Sequence, residues 1–581
     1  MDTGNIAGNI GEEIGRRVSE AVARALDVRI GVDEALVRHA AAEHGDYQSN
    51  VALSLARRVG QPPRQVAERI VGALDVEPLL APPRVAGPGF VNLTLRREWL
   101  DAHAGRLLGD ERLGVPRHAT PRRVVIDYSS PNMAKEMHVG HLRSTIIGDC
   151  LARLWAFLGD GVVRQNHLGD WGTPFGMLVE HLIDEGMGEA DHLTVADLNT
   201  FYQRARAKFD ADPSFADRAR RRVVLLQSGD EATLALWRRL AEESKRHIQA
   251  VYDLLGVQLT PEDDCPESFY NPVLAEIGEE LTRAGLAEIS DGALCAFPEG
   301  FRNREGGRMA LIVRKSDGGY TYDTTDLATI RYRARELHGD DLVYVVGSPQ
   351  RLHFEMVFAV ARAAGWVTAG QATTYVGFGS VLGENGRMLQ TRRGESVSLV
   401  DLLDGAVGRA AGLLAERSEL HGDEAARLAR AIGVGAVKYA DLSGDREKDY
   451  VFSLDRMLAM DGNTSVYLQY ANARIRSILR RADDAAEGPI AVGHPAERRL
   501  LLGLARFPEA VDQTMRTLEP HRLCTYLFDT AVAFTSFYEH CPVLNADGEA
   551  ARASRLALCS LTSRVLTTGL GLLGIEAPDR L

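Results

Sequence analysis

Three continuous apolar runs in the middle of the chain limit the folds that it can adopt. They lie at residues 124–126, 342–346 and 375–378, and none of them alternates apolar with polar side chains. A strand that is apolar on both faces has to be covered on both faces, which is typical of a parallel sheet with helices packed on either side. We therefore expect an α/β domain with a parallel sheet over residues 116–400.

The segments on either side of these runs carry different patterns. Residues 1–115 combine a helical apolar repeat with turn-rich pieces and an alternating strand at 90–95, which predicts a small α+β domain. Residues 184–263 are charged and mostly helical, so we expect them to be an insertion. After residue 401 the strand signals end and helical patterns such as 520–540 and 550–573 follow, which predicts an all-α domain over residues 401–581.

Charge and cysteine usage exclude several kinds of protein. The chain has 67 Lys and Arg against 80 Asp and Glu, a net charge of −13, which rules out a uniformly basic nucleic-acid coat but leaves local basic faces open. The six cysteines include no Cys-x-x-Cys pair, which predicts buried, reduced thiols in a protein of a reducing compartment. No run approaches the ~18 apolar residues of a membrane span, and the N-terminus lacks a signal-peptide core. We expect a cytoplasmic protein that does not bind membranes.

The most informative segment joins the first apolar run to a helix. A Ser-Pro-Asn turn at residues 130–132 follows the run, and a helix is predicted from about His138. Ligands of α/β folds bind at the carboxyl ends of strands, and a helix N-terminus favours anions. His138 and His141 lie on one helical face, and Gly140 has no side chain to keep a flat ligand from the backbone. The pattern suits a nucleoside triphosphate, whereas an isolated histidine pair would more often be capping or core residues.

The same segment resembles the His-x-Gly-His signature of class I aminoacyl-tRNA synthetases, in the version found in arginyl-tRNA synthetases. The resemblance is carried by residues 45–50, 87–92, 130–145, 166–173, 467–475 and 573–578. It implies a multidomain α/β protein whose Rossmann-like parallel-sheet catalytic domain lies between a small α+β tRNA-binding domain and an all-α anticodon-binding domain. It also implies a ligase that joins L-arginine to tRNA(Arg) with ATP, in protein synthesis, and that works as a monomer.

A pocket for the arginine side chain needs acceptors in the plane of the guanidinium, which has five donors and no acceptor. Tyr322 and Asp326 supply a phenol and a carboxylate at helical spacing, and the resemblance implies that both contact the substrate. An exposed helix pair is the alternative. The other residues implied at the bound arginine are Ser130, Asn132, His141 and Gln350, with Asp127 as a direct or indirect partner of the guanidinium. Such a site rejects analogues by about 10⁴ or more, and the resemblance implies no editing domain.

The ATP site departs from the class I pattern in one place. The residues implied at the site are Pro131, Asn132, Lys135, His138, Gly140, His141, Met388 and Arg392, of which Lys135, His138, Gly140 and His141 are the expected catalytic set. The class I Lys-Met-Ser-Lys-Ser loop corresponds to residues 386–394, which contain no lysine. We therefore predict that Lys135, one of six lysines, neutralises the phosphates together with Arg392. A solvated loop is the alternative for Arg392 and Arg393.

Metal and cofactor expectations follow from the same chemistry. We expect Mg²⁺ to arrive with ATP, since this ion is usually held by substrate phosphates rather than by an all-protein cage. No tightly bound cofactor and no resident metal are expected.

Transfer RNA would have to bind to local basic faces of this acidic chain. Arginines beside stackable rings suit an unpaired anticodon loop, so we predict contacts from Tyr467, Tyr470 and Arg474. The arginines of this segment are Arg474, Arg476, Arg480 and Arg481. Core tyrosines with solvated arginines are the alternative. A second cluster, Arg218, Arg220, Arg221 and Arg222, is either an acceptor-stem contact or a surface helix.

Two other functions share part of this pattern. A nucleotidylyltransferase of the same α/β superfamily could carry His-x-Gly-His, but it would need neither the helical C-terminal domain nor the Tyr322 and Asp326 pocket. A non-catalytic tRNA-binding paralogue would keep the outer domains and lose the site residues, which are intact here.

Overall fold

The computed structural model describes residues 8–133, 135–186, 195–389, 397–416, 420–482 and 488–581. They form two compact units. The sheet unit comprises His118–Leu458 with Leu572–Ile575, and the terminal unit comprises the described residues up to Arg117 together with Ala459–Gly571 and Glu576–Leu581. Among the described residues, no helix combines the length and the apolar character that crossing a membrane requires.

Within these residues the helices are α1 (Ile10–Leu26), α2 (Val51–Val59), α3 (Pro63–Ala73), α4 (Arg97–Gly109), α5 (Val139–Phe157), α6 (Thr173–Asp184), α7 (Val195–Ala211), α8 (Pro213–Ser228), α9 (Glu231–Leu255), α10 (Leu274–Arg283), α11 (Tyr322–Arg335), α12 (Arg351–Ala363), α13 (Leu399–Ala415), α14 (Gly422–Leu442), α15 (Leu454–Met457), α16 (Ser465–Arg481), α17 (Pro495–Leu504), α18 (Phe507–Thr517), α19 (His521–His540) and α20 (Glu549–Leu572). The strands are β1 (Val37–His39), β2 (Tyr47–Ser49), β3 (Arg84–Ala86), β4 (Phe90–Leu93), β5 (Arg123–Asp127), β6 (Gly161–Gln165), β7 (Ala287–Ser290), β8 (Ala293–Ala296), β9 (Leu311–Arg314), β10 (Asp341–Gly347), β11 (Ala372–Phe378), β12 (Val381–Leu382) and β13 (Tyr450–Val451).

The parallel sheet expected from the apolar runs is confirmed. Its strand order is β11-β10-β5-β6, and each neighbouring pair is parallel. The three runs are β5, β10 and β11, whose middle residues are buried as Val125 and Val343 are. Strand β6 was not predicted from the sequence. It is one of the two edge strands, and Arg164 and Gln165 interrupt its apolar pattern.

Helices and a second sheet complete the sheet unit. Helices α7, α8 and α9 confirm the helical character expected for residues 184–263, as far as these are described. A three-stranded antiparallel sheet, in the order β7-β8-β9, was not predicted. Each of its strands has only four residues and two of the apolar side chains face outward, with Ile289 66% and Ile312 40% exposed. Strands this short, with apolar residues on both sides, give no clear alternation.

The terminal unit contains the antiparallel sheet β1-β2-β4-β3, whose strand β4 was predicted at 90–95 and ends at Leu93. The helices predicted at 520–540 and 550–573 are α19 and α20. Within this unit the N-terminal part packs against the last helices. Arg498 lies 2.7 Å from Asp46, and Arg564 donates a hydrogen bond of 2.6 Å to the backbone oxygen of Leu108.

Residues 401–458 lie in the sheet unit, although they were expected in the helical C-terminal domain. The physical reason is a set of buried polar contacts between α14 and α5. Asp441 of α14 is fully buried and lies 3.2 Å from Arg143 of α5. A loss of strand signals marks where helices begin, but it does not show which unit they cover.

Candidate active site

The turn after β5 holds its backbone in an unusual conformation. Ser129 and Ser130 have φ values of 70° and 49°, which are in the left-handed region. A non-glycine residue in this conformation costs on the order of 1–3 kcal/mol of stability, and it is kept only where the surrounding contacts hold the backbone there. The Ser129 N–H donates to Ser144 Oγ at 3.0 Å, and the Ser130 N–H donates to Asn166 Oδ1 at 3.2 Å. The carboxyl end of β5 is therefore fixed to helix α5 and to the loop after β6.

Asp127 uses both carboxylate oxygens inside the protein. Its Oδ1 accepts a hydrogen bond of 2.8 Å from Ser130 Oγ, and its Oδ2 accepts one of 2.7 Å from Arg333 of α11. Arg333 is only 1% exposed, and its guanidinium lies over the ring of Tyr344. Asp127 thus binds a guanidinium of the protein itself, and of the two roles expected from the sequence, this geometry favours the indirect one.

Helix α5 begins with a pair of histidine caps. The N–H of Gly140 donates to His138 Nδ1 at 3.0 Å, and the N–H of His138 donates to His141 Nδ1 at 3.2 Å. The two rings lie 4.1 Å apart. Burial and then the charge of Lys135 lower the pKa of His138, while burial and the neighbouring His138 lower the pKa of His141 to about 3. Both rings are therefore neutral near pH 7 and carry the proton on Nε2, which makes them two donors at a helix N-terminus.

Gly140 and Lys135 lie beside these rings. A Cβ atom added at Gly140 would lie 2.7 Å from His138 Cε1. Glycine at this position therefore leaves room for the His138 ring and also leaves the backbone open to a ligand. Lys135 is exposed, and its Nζ lies 5.2 Å from the ring centroid of Tyr202 in α7. Its charge lies close enough to His138 to lower the pKa of that ring.

The loop after β6 supports the rest of the turn. The carbonyl of Pro131 accepts from the N–H of Gly169 at 3.1 Å, and the Met133 N–H donates to the Gly169 carbonyl at 2.9 Å. A Cβ at Gly169 would lie 2.4 Å from Asn132 Oδ1, so a larger residue there would displace that exposed side chain. Two separate stretches of the family resemblance, 130–145 and 166–173, therefore meet at one place.

The second ATP loop is described in part. Met388 is 55% exposed and forms a bridge with Leu382 of β12. On the far side of the loop, the N–H of Val139 donates to the carbonyl of Val397 at 3.0 Å, which attaches the loop to the start of α5. Arg392 and Arg393 lie outside the described residues.

Helices α11 and α12 carry the residues expected at the arginine side chain. Tyr322 is the first residue of α11 and is 67% exposed. Asp326 Oδ2 lies 2.6 Å from Nε2 of His353 in α12. Gln350 is exposed and directly precedes α12. His353 was not predicted, although its place three residues after Gln350 puts it one helical turn away and could have suggested it.

A cavity of about 480 Å³ opens beside Tyr322. Its lining includes Trp171, Glu267, Lys315 and Thr325. Burial, then the charges of Asp170 and Asp326, raise the pKa of Glu267 to about 7. Trp171 and Glu267 were not predicted. Trp171 lies within the 166–173 stretch, and Glu267 has no sequence signal of its own.

The residues predicted to bind tRNA fall into two environments. Tyr467 is half-buried, and its hydroxyl lies 3.0 Å from Thr535 Oγ1, so it belongs partly to the helical packing. Tyr470 is 36% exposed and accepts a hydrogen bond of 2.8 Å from Arg474. The Arg474 guanidinium also lies 5.3 Å from the ring centroid of Tyr538, which is 40% exposed and was not predicted. Tyr470, Arg474 and Tyr538 are hereafter the Arg474 face.

Several other arginines have partners within the chain. Arg476 lies 2.8 Å from Asp579, and Arg480 donates to the Asp579 carbonyl at 3.0 Å. In the insertion, Arg218 and Arg222 each bond Glu180 of α6, at 2.8 and 2.9 Å. Arg218 and Arg222 hold α8 against α6, and Arg476 and Arg480 hold α16 against the C-terminal segment. Arg474 differs from these four because it contacts the exposed rings of Tyr470 and Tyr538. Among the described residues, no group of three or more His, Cys, Asp and Glu side chains is placed to hold a metal ion. All six cysteines are free and buried, which confirms the expected burial.

Comparison with known proteins identifies the family. Residues 104–454 match the family of class I tRNA synthetases for arginine, catalytic domain, residues 468–581 match the DALR anticodon binding domain, and residues 12–95 match the arginyl-tRNA synthetase N-terminal domain. The match to the catalytic domain extends beyond residue 400 and agrees with the extent of the sheet unit.

Similar proteins cover nearly the whole chain. The arginine–tRNA ligase of Thermobifida fusca is 54% identical over 93% of this chain and 94% of its own length. That of Frankia casuarinae is 52% identical over 97% of both chains. The arginyl-tRNA synthetase structure from Plasmodium falciparum superposes with a TM-score of 0.86 at 29% identity, covering 99% of this chain and 100% of that one. The Thermus thermophilus arginyl-tRNA synthetase gives a TM-score of 0.80 at 25% identity, with 98% and 100% covered. The chain therefore belongs to the arginyl-tRNA synthetase family of class I aminoacyl-tRNA synthetases.

Proposed function

We propose that the protein is an arginine–tRNA ligase that works in two steps. A carboxylate oxygen of L-arginine attacks the α-phosphate of Mg-ATP, giving arginyl-adenylate and releasing pyrophosphate. A hydroxyl of the terminal ribose of tRNA(Arg) then attacks the arginyl carbonyl, and AMP leaves. No protein nucleophile is needed, because holding the reactants in line can lower the barrier by roughly 7–11 kcal/mol.

The observation that carries this proposal is the opposite polarity of two groups of residues in the sheet unit. At the start of α5, two neutral histidines present N–H donors beside the Lys135 ammonium. On α11, Asp326 and the exposed Tyr322 supply a carboxylate and a phenol. The first group suits a triphosphate and the second suits a guanidinium.

We assign the ATP site to the α5 end. His138, His141 and Lys135 stabilise the charge that develops on the phosphates during attack at the α-phosphorus. Gly140 has no side chain and so leaves room for the His138 ring. Pro131 and Asn132 shape the adjacent turn, and Met388 with Arg392 completes the site from the second loop. Mg²⁺ belongs to the ATP substrate, and no tightly bound cofactor takes part.

We assign the arginine site to the ends of β5 and β10. Asp326 and Tyr322 accept from the guanidinium, and Gln350 lies at the start of the neighbouring helix α12. Ser130, Asn132 and His141 hold the amino and carboxylate groups of the substrate, while Asp127 acts through Ser130.

The Arg474 face, together with Tyr467, contacts the anticodon loop of tRNA(Arg). We further propose that the enzyme is a cytoplasmic monomer and that arginine activation requires bound tRNA.

The test is arginine-dependent exchange of pyrophosphate into ATP, with and without tRNA(Arg). Exchange that depends on arginine is expected, and exchange with another amino acid, or none at all, would reject the proposal. Asp326→Asn should raise the KM for arginine and leave the KM for ATP unchanged. Glu336→Gln, at the exposed end of the same helix, is the matched control and should change neither.

Lys135→Ala tests the cation that replaces the loop lysines. The activation rate should fall while the affinity for arginine stays nearly constant, because an ammonium near the phosphates acts on charge that develops in the transition state. Lys448→Ala removes another exposed lysine, whose side chain is 79% exposed, and should have no effect. An unchanged activation rate in the Lys135 variant would remove this lysine from the mechanism.

A further inference from the structure

The imidazole of His353 lies between two carboxylates of helix α11. Its Nε2 is 2.6 Å from Asp326 Oδ2, and its Nδ1 is 3.5 Å from Asp323 Oδ1. The His353 side chain is only 16% exposed, and its ring lies 5.2 Å from the ring of Tyr322. A histidine from α12 therefore contacts both α11 residues that the proposed function assigns to the guanidinium.

The two carboxylates have different surroundings. Asp323 Oδ2 accepts a hydrogen bond of 2.7 Å from the backbone N–H of Ile312, so Asp323 ties α11 to β9. Asp326 bonds His353 through Oδ2, and within the described part of the chain its Oδ1 has no hydrogen-bond partner. The histidine thus fixes one oxygen of Asp326 and leaves the other available.

We propose that His353 is a positioning residue for arginine binding: its Nε2 aims the free oxygen of Asp326 at the substrate guanidinium, and its protonated form competes with that guanidinium for the carboxylate. The inference rests on the proposed function, in which Asp326 accepts from the substrate arginine. His353 itself is not assigned any contact with the substrate.

The charges around the ring favour its protonation. Burial lowers the pKa of His353, but the hydrogen bond to Asp326 and the charges of Asp326 and Asp323 outweigh it, so that the pKa lies above its ordinary value. The other titratable group that faces the ring from α11 is the phenol of Tyr322. From the short helix Glu267–Val273, Glu267 acts on Asp326. On α12, the nearby Arg351 is bonded to Glu447 at 3.0 Å.

A guanidinium that binds Asp326 brings a second cation beside an imidazolium. Binding and protonation then oppose each other, and by linkage arginine releases up to one proton on binding. The KM for arginine should therefore rise as the pH falls through the pKa of His353, by at most about tenfold per pH unit. The KM for ATP should not follow this trend, because the phosphates belong to the α5 end.

His353→Gln separates positioning from titration. The glutamine amide can reach Asp326 and donate to it, but it does not ionise. Arginine-dependent pyrophosphate exchange, with tRNA present, is measured between about pH 6 and pH 8, where histidine titrates. The wild-type KM for arginine should rise steeply toward low pH, whereas the variant should show a shallower rise, which comes from Glu267, whose pKa of about 7 lies in the same range. A variant profile with the wild-type slope would overturn the inference.

His353→Leu removes the donor. It should raise the KM for arginine about tenfold or more at every pH, with kcat and the KM for ATP near the wild-type values, because one oriented polar partner of the substrate is lost. Restoration of the KM by glutamine, but not by leucine, is the signature of positioning. If leucine does not fold, the slope of the glutamine variant still decides the question.

Asp326→Asn, in the same assay, distinguishes a failure of the proposed arginine site from a failure of the role proposed for His353. If it leaves the KM for arginine unchanged, the proposed arginine site is wrong. If it raises the KM while His353→Gln keeps the wild-type pH slope, the arginine site stands and the role of His353 is rejected.

Discussion

Gly140, between the two capping histidines, gives the sharpest test of the α5 geometry. A Cβ atom added there would lie 2.7 Å from His138 Cε1 and 2.9 Å from Nδ1, closer than the 3.0 Å that Cβ contacts keep. In Gly140→Ala the His138 ring must therefore move, and the hydrogen bond of 3.0 Å from the Gly140 N–H is lost. One proposed phosphate donor is displaced, while the contacts of Asp326 stay as they are.

The expected effects on stability and on rate are of very different size. Alanine in place of glycine stabilises a helix by roughly 0.5–1 kcal/mol, and the lost hydrogen bond costs about the same. The free energy of unfolding should therefore change by less than about 1 kcal/mol. A preorganised donor to transition-state charge is worth about 3–4 kcal/mol, so kcat should fall by a factor of about 10²–10³.

The assay pairs arginine-dependent pyrophosphate exchange with urea unfolding of the same preparations. Gly408→Ala, in α13 of the same unit, is the matched control because its added Cβ meets nothing within 4 Å. It gains the same helix propensity and should keep the wild-type rate. A Gly140→Ala enzyme with a rate close to that of wild type, or one whose stability falls as far as its rate, would refute the assignment of His138.

Three further outcomes follow from buried or exposed side chains. Arg143→Met leaves the fully buried Asp441 without its partner at 3.2 Å, and the free energy of unfolding should fall by about 3–5 kcal/mol, measured by chemical denaturation. The pKa of Glu267 is raised to about 7, so between about pH 4.5 and 7 the folded state binds more protons than the unfolded state. Relative to Glu267→Gln, the wild type should lose roughly 3 kcal/mol of stability as the pH rises from 4.5 through 7, as unfolding of both proteins at a series of pH values will show. Tyr538→Ala should weaken binding of tRNA(Arg) by about 1–3 kcal/mol in a filter-binding titration, because it removes a stacking ring from the Arg474 face, and unchanged affinity would exclude that face.

The sequence predicts the structure best where a local pattern decides it. Residues 342–346 are apolar without alternation, and they form the buried centre of β10. His138 and His141 follow a turn signal, and they form the start of α5. In both cases the signal lies within one continuous segment, although β10 itself pairs with the distant strands β5 and β11.

What the sequence misses depends on partners far apart in the chain. Asp127 is adjacent to Ser130, but its second oxygen is taken by Arg333, 206 residues away. His353 meets Asp326 only because α12 packs against α11. Residues 401–458 were assigned to the helical domain for the same reason, since contact with a unit is a tertiary property. Strand β6 was missed for a local reason, because Arg164 and Gln165 interrupt its apolar pattern.

The arrangement of charge in the sheet unit explains why an acidic chain can use ATP. The α5 end combines neutral histidine donors, Lys135 and the positive end of a helix dipole. Around α11, by contrast, Asp323, Asp326 and Glu267 lie close enough to affect one another's pKa values or those of a shared neighbour. Arginyl-adenylate has the same polarity, with a phosphate at one end and a guanidinium at the other. A substitution of Lys135 or His138 should therefore change parameters for ATP, and one of Tyr322 or Asp326 should change those for arginine. A variant at one of these four positions that shifted both sets equally would contradict this division.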